Sequence, residues 1–203
     1  MNTEIKVTGK AAADKSSEPE LFFETQAAWE KWLDVHHEQP NGIWLKFAKK
    51  ASGITSTNYA EALDVALCYG WIDGQSKSID ETYYVQKFTP RRAKSMWSKR
   101  NIGKVEELIK AGKMTPAGVA AIEAAKADGR WAQAYDSPRN MKVPDDFQAE
   151  LNKHPKAKEL FEKLDKTNRY AVLWRIQTAK KAETRAKRIE QLTAMLDRGE
   201  KIH

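Results

Sequence analysis

Trp71-Ile72-Asp73-Gly74-Gln75-Ser76-Lys77-Ser78-Ile79-Asp80-Glu81-Thr82-Tyr83-Tyr84-Val85-Gln86-Lys87-Phe88 is the stretch that decides the fold class. Tyr83, Tyr84, Val85 and Phe88 favour a pleated surface, and Asp80-Glu81 lies where a turn is needed, so the stretch predicts two short strands. Upstream, Ile43-Trp44-Leu45-Lys46-Phe47-Ala48 is too short and too aromatic for a free-standing helix and predicts another strand, entered after the stop Pro40-Asn41-Gly42. Between these strands, Thr57 or Asn58 opens a helix with Ala62, Leu63, Ala66 and Leu67 on one stripe, and Gly70 can take the left-handed position that ends it. Before them, Thr25 caps a helix in which Ala28, Trp29, Trp32, Leu33 and His36 recur at helical spacing. Residues 1–19 are polar and without hydrophobic period, which predicts a disordered tail.

Downstream of the strands, Ser98 is a candidate cap for a helix carrying Ile102, Val105, Leu108 and Ile109, which Gly112 ends. Thr115-Pro116 starts a further helix through Ala127, closed by Gly129. Trp131 to Pro144 has little period and reads as a connection. From Asp145 the chain is helical throughout, over Asp145 to Lys153, Pro155 to Leu164, Asn168 to Lys180 and Ala182 to Arg198. The expected class is α+β: a small antiparallel sheet packed by helices in a domain over 20–130, then an all-helical C-terminal domain over 145–203.

At 203 residues, 41% apolar and 31% charged, the chain is long enough to bury a sizeable core and too apolar to be wholly disordered. No apolar run approaches bilayer length and the start has no signal-peptide core, so a cytoplasmic location is expected. The single Cys68 lies in an apolar helical stretch and reads as a buried thiol in a reducing compartment. The net charge of +7 is held unevenly: Asn152 to His203 has 14 Lys/Arg against 7 Asp/Glu, while Met1 to Leu151 has 21 of each. Neither a Walker nor a dinucleotide glycine loop is present, and His36-His37-Glu38 point different ways on a helix without a third ligand. No metal or cofactor is expected.

The residues that crowd recognition chemistry are Trp71 and Asp73, then Arg91, Arg92, Lys94, Lys99 and Arg100 around Met96 and Trp97, with Asn101 following. Gly and Pro turns can aim them at one place, which predicts a cleft lined by Trp71, Asp73, Arg91, Arg92, Trp97 and Asn101 that accepts a small anionic ligand. Ser95 and Ser98 lack the turn and histidine that would make them nucleophiles and read as caps. Three functions compete. The leading one is a non-enzymatic binding protein. The second is an enzyme acting on a small anionic substrate, with Asp73 as acid or base. The third is nucleic-acid binding through the basic C-terminal helix, whose Ala182, Ala186, Ile189 and Leu192 oppose Glu183, Arg185, Lys187 and Arg188.

The order Gly70-Trp71-Ile72-Asp73-Gly74, Phe88-Thr89-Pro90-Arg91-Arg92, Ser95-Met96-Trp97-Ser98-Lys99-Arg100-Asn101 and Ala179-Lys180-Lys181-Ala182-Glu183-Thr184-Arg185-Ala186-Lys187-Arg188-Ile189 resembles the YdeI/OmpD-associated family, over nearly everything after the tail. The resemblance implies a bacterial stress or bacteriocin-protection protein with no assigned reaction, cofactor or catalytic residue. Its wider YjbR/CyaY-like grouping implies an α+β front with an antiparallel sheet. It also implies a protein partner linked to the envelope or a porin, and the absence of an export signal favours an indirect, cytoplasmic contribution to envelope-stress resistance.

Overall fold

Burial alternates along Ile43–Ala48, where Ile43, Leu45 and Phe47 are buried and Trp44, Lys46 and Ala48 are half-buried, so this segment has one core face and one outer face. The computed structural model describes residues 18–203. Four strands, β1 (Glu20–Phe22), β2 (Ile43–Ala48), β3 (Trp71–Ser78) and β4 (Tyr83–Pro90), form one sheet in the order β1-β2-β4-β3. The β2–β4 and β3–β4 pairs are antiparallel, as expected, and the β3–β4 ladder shifts register between Asp73 and Ser76. β1 is an addition to the expected sheet and makes it mixed, because it runs parallel to β2. Three residues carry no readable period. The ordered chain also reaches further back than expected, since Pro19 O accepts from Trp44 N at 2.9 Å; the rest of the expected tail, residues 1–17, lies outside the described residues.

The helices are α1 (Gln26–His36), α2 (Tyr59–Cys68), α3 (Lys99–Lys110), α4 (Pro116–Ala127), α5 (Asp145–Lys153), α6 (Pro155–Lys163), α7 (Lys166–Gln177) and α8 (Ala182–Asp197). The chain divides into two units, one running to Ser95 and resuming over Asn101–Trp131, the other made of Met96–Arg100 and Ala132–His203.

In the first unit α1 and α2 pack on the core face of the sheet. Trp29 is fully buried, 5.8 Å from the Phe88 ring and 6.3 Å from that of Trp71, and its indole N–H donates to Ala62 O at 3.1 Å. The caps were legible: the Thr25 side chain accepts from Ala28 N, and Asn58 forms a reciprocal capping box with Glu61. Gly70, at φ 74°, makes the left-handed exit from α2. Thr115 caps α4 and donates its hydroxyl to Cys68 O at 2.6 Å, so the start of α4 is fastened to the end of α2.

Cys68 is 4% exposed, and burial, with help from Glu30 and Asp64, pushes its thiol up to about 11 from 9.0. At a pH of about 8 the folded chain is therefore expected to react with iodoacetamide roughly a hundredfold more slowly than a free cysteine, since each unit removes tenfold of the thiolate. Mass spectrometry follows the reaction; a rate equal to that of the urea-unfolded chain would contradict the sealed placement.

The second unit has its own core, in which Phe147, Leu151, Ala157, Val172 and Ile176 are fully buried and Leu196 nearly so. Phe147 and Phe161 meet edge to face, with ring centres 5.2 Å apart. Burying a side chain of this size contributes about 1.5–3 kcal/mol. Buried Asn168 accepts from His203 N at 2.9 Å and donates to Asp165, which accepts in turn from Asn168 N as the cap of α7.

Candidate functional site

The expected cleft residues fall as follows. Trp71 and Asp73 start β3 on the core side, Asp73 standing opposite Phe88. Trp71 is fully buried and its indole N–H donates to His37 O at 2.9 Å, so the ring is core rather than the wall of an open hollow. Asp73 is half-buried and its carboxylate accepts from the Tyr59 hydroxyl at 2.7 Å, which ties the β3 end of the hairpin to the first turn of α2. Arg91 N donates to Gly70 O at 3.0 Å, and Arg92 N donates to Ser95 Oγ at 2.9 Å. Arg92 alone among the expected residues is exposed. Asn101 is 7% exposed within α3. Trp97 belongs to the second unit, is 1% exposed, and its carbonyl accepts from Tyr135 N at 3.0 Å.

One residue that sequence reasoning missed is Arg130, 7% exposed, whose Nε is chelated by Asp128 at 2.8 and 2.6 Å and whose Nη1 donates to Ser95 O at 2.8 Å. It pins the loop that follows β4. The histidines expected to be poor metal ligands are engaged locally: the His36 ring stacks on Trp32 at 4.5 Å, and His37 Nδ1 lies 3.1 Å from Leu33 O.

The outer face of the sheet assembles a different set. Residues opposite each other on neighbouring strands share a face. Trp44 stands opposite Lys87, Lys46 opposite Val85, and Ala48 opposite Tyr83, while Lys77 flanks Val85 from the other side. β1 adds Glu20 opposite Trp44 and Phe22 opposite Lys46. The ammonium of Lys77 lies 4.3 Å from the Trp44 ring centre, that of Lys87 5.8 Å from it, and that of Lys46 4.2 Å from the Tyr83 ring centre. Phe22 meets Tyr83 edge-on at 6.2 Å. Lysine stems and rings together shield Val85, only 6% exposed although it points away from the core. Glu18 pairs with Lys87 at 2.7 Å and Glu20 with Lys46 at 3.7 Å. Each pair is half-exposed and worth well under about 1 kcal/mol. The signal was present in the sequence as Trp44-x-Lys46 and Tyr83-x-Val85-x-Lys87, a two-residue repeat that puts rings and cations on one side of predicted strands.

In the second unit the Ala179–Ile189 stretch has a structural reading. Arg185 forks onto Asp146 at 2.6 and 2.8 Å and donates to Ile176 O at 3.0 Å, and Arg188 donates to Arg175 O at 2.5 Å and Thr178 Oγ1 at 3.3 Å. Two cations thus close the carbonyl end of α7, where a helix leaves acceptors unsatisfied and its dipole is negative. Asp146, Arg185 and Ile189 also line an open groove of about 560 Å³ with Glu150, Ala182, Ala186 and Glu190. Residues 140–199 match the model of the family described as Bacteriocin-protection, YdeI or OmpD-Associated. This segment is similar to the YdeI/OmpD-associated family. The match is narrower than the expected likeness. Residues 21–121, which hold the Gly70–Gly74 and Phe88–Asn101 motifs, match a separate domain of unknown function (DUF8412). No curated protein and no solved structure matches the chain. Within residues 140–199, Arg185 and Arg188 are fastened to the carbonyl end of α7. Among the described residues no helix is long and apolar enough to cross a membrane.

Proposed function

We propose that the protein is a non-enzymatic binding protein that receives an anionic ligand on the outer face of its sheet and serves bacteriocin protection through that binding. The observation that carries this is the gathering of the Lys46, Lys77 and Lys87 ammoniums over Trp44 and Tyr83 on a half-exposed face. Like-charged groups brought together raise the local positive potential, and their partners there are partly exposed carboxylates and ring faces that an incoming anion can displace. The match of residues 140–199 supports placing this binding in bacteriocin protection.

Inorganic polyphosphate titrated against the full chain is expected to quench tryptophan fluorescence, with affinity falling as salt rises. Converting Lys46, Lys77 and Lys87 together to alanine is expected to weaken binding at least about tenfold, since removing phosphate-facing cations lowers both affinity and salt slope. Circular dichroism checks that the variant keeps its fold. Wild-type affinity in the folded variant would defeat the reading.

A further inference from the structure

The geometry points to a single strand of nucleic acid as the anion received on the outer face, with bases stacked on Trp44 and Tyr83 and phosphates held by Lys46, Lys77 and Lys87. This rests on the reading of that face as the binding surface and names its ligand class.

Rings and cations alternate there in two directions. Along β2, Trp44 is followed two residues later by Lys46; along β4, Tyr83 is followed by Val85 and Lys87, with Lys87 opposite Trp44 and Tyr83 opposite Ala48. Two residues of strand cover about 7 Å, so a path from Trp44 past Lys46 to the level of Tyr83 meets a ring, a cation and a ring at steps of that length. Each step lies within reach of one extended nucleotide, whose backbone carries one phosphate and one base. Binders of single strands combine such cations with aromatic platforms, because every base has a π face whatever its identity.

The bound state is reached by exchange. Lys77 and Lys46 now cover the ring faces at 4.3 and 4.2 Å. Phosphates draw the ammoniums off the rings, and bases take the faces they leave. A duplex keeps its base faces inside the stack and cannot make this exchange. An acidic peptide would engage the lysines and leave the rings without partners. Glu18 and Glu20, paired with Lys87 and Lys46, compete with phosphate and hold the affinity down. The chain as a whole, at +7, favours the encounter.

The test uses the full chain and a short fluorescent oligothymidylate read by anisotropy, with inorganic polyphosphate and a duplex of the same length as competitors. The oligothymidylate is expected to bind at least about tenfold more tightly than either competitor, with log affinity falling against log salt at a slope of about −2 for three phosphate contacts. Trp44→Leu is expected to cost at least about tenfold for the oligothymidylate and nothing for polyphosphate, with Trp44→Phe restoring part of the loss. Glu20→Gln is expected to tighten binding. If polyphosphate equals the oligothymidylate and Trp44→Leu changes neither, the strand is overturned and the anion reading stands. Failure of both probes overturns both readings, and duplex binding as tight as single-strand binding overturns the stacked arrangement.

Discussion

Gly118→Ala is expected to destabilise the first unit by about 3 kcal/mol, the upper end of what overpacking costs, even though alanine is the better helix former by up to about 1 kcal/mol. A Cβ at Gly118 would lie 2.1 Å from Cys68 O and 2.7 Å from Met114 Cε. The methionine can swing away; the carbonyl belongs to the end of α2 and cannot. Relief requires α4 to back off from α2, which breaks the bonds from Thr115 N and Oγ1 to Cys68 O, at 3.2 and 2.6 Å. Gly103, in α3, is the control: nothing lies within 4 Å of its Cβ position, so Gly103→Ala is expected to stabilise by a few tenths to about 1 kcal/mol through propensity alone. Urea unfolding of the two variants measures both. Equal effects would show that the close approach of α4 to α2 does not exist.

Arg185→Ala should be the most damaging change on the surface of the second unit, at about 2 kcal/mol. The donor to Ile176 O contributes about 1.5 kcal/mol as a charged hydrogen bond. The Asp146 side chain is 47% exposed, so solvent screening holds the ion pair to less than about 1 kcal/mol in spite of its two-pronged geometry. For a unit of this size the sum lowers the melting temperature by roughly 10 °C. Arg185→Lys keeps the charge but loses the fork and should recover less than half. The pH dependence separates the components. Hydrogen bonding from Arg185 holds the Asp146 carboxyl below its ordinary 3.8. The stabilisation is therefore complete above that value and is lost as pH falls through the lower folded value. In Arg185→Ala that part of the acid limb should flatten; an unchanged limb with unchanged stability would mean the clamp bears no load.

The elements that could be read in advance were those with local chemical signatures. Thr25, Asn58 and Thr115 announced helix starts, Gly70 announced an end, and Tyr83 to Phe88 announced a strand, because each effect acts within a few residues. β1 was missed because a three-residue parallel strand is created by its partner β2 and not by its own pattern. The expected cleft shows the limit from another side. Trp71 and Trp97 carry the residue types of a recognition surface, yet tryptophan is equally a core residue, and only packing decides which. From the sequence, Arg185 and Arg188 belong to the basic side of a helix that could bind nucleic acid. Their targets are carbonyls of another helix, to which no spacing rule within one segment points.

β3 is the last strand of the sheet, and among the described residues no strand pairs with its outer side. Such a rim invites a second chain to add itself and start a fibre. Two features deny it that template. The register break between Asp73 and Ser76 kinks the rim out of the straight line a newcomer would need, and Lys77 places a charge in the half beyond the break. The opposite rim, β1, is only three residues long among the described residues, and very short edge strands offer a poor template. The shape of these margins therefore works against the addition of a further strand.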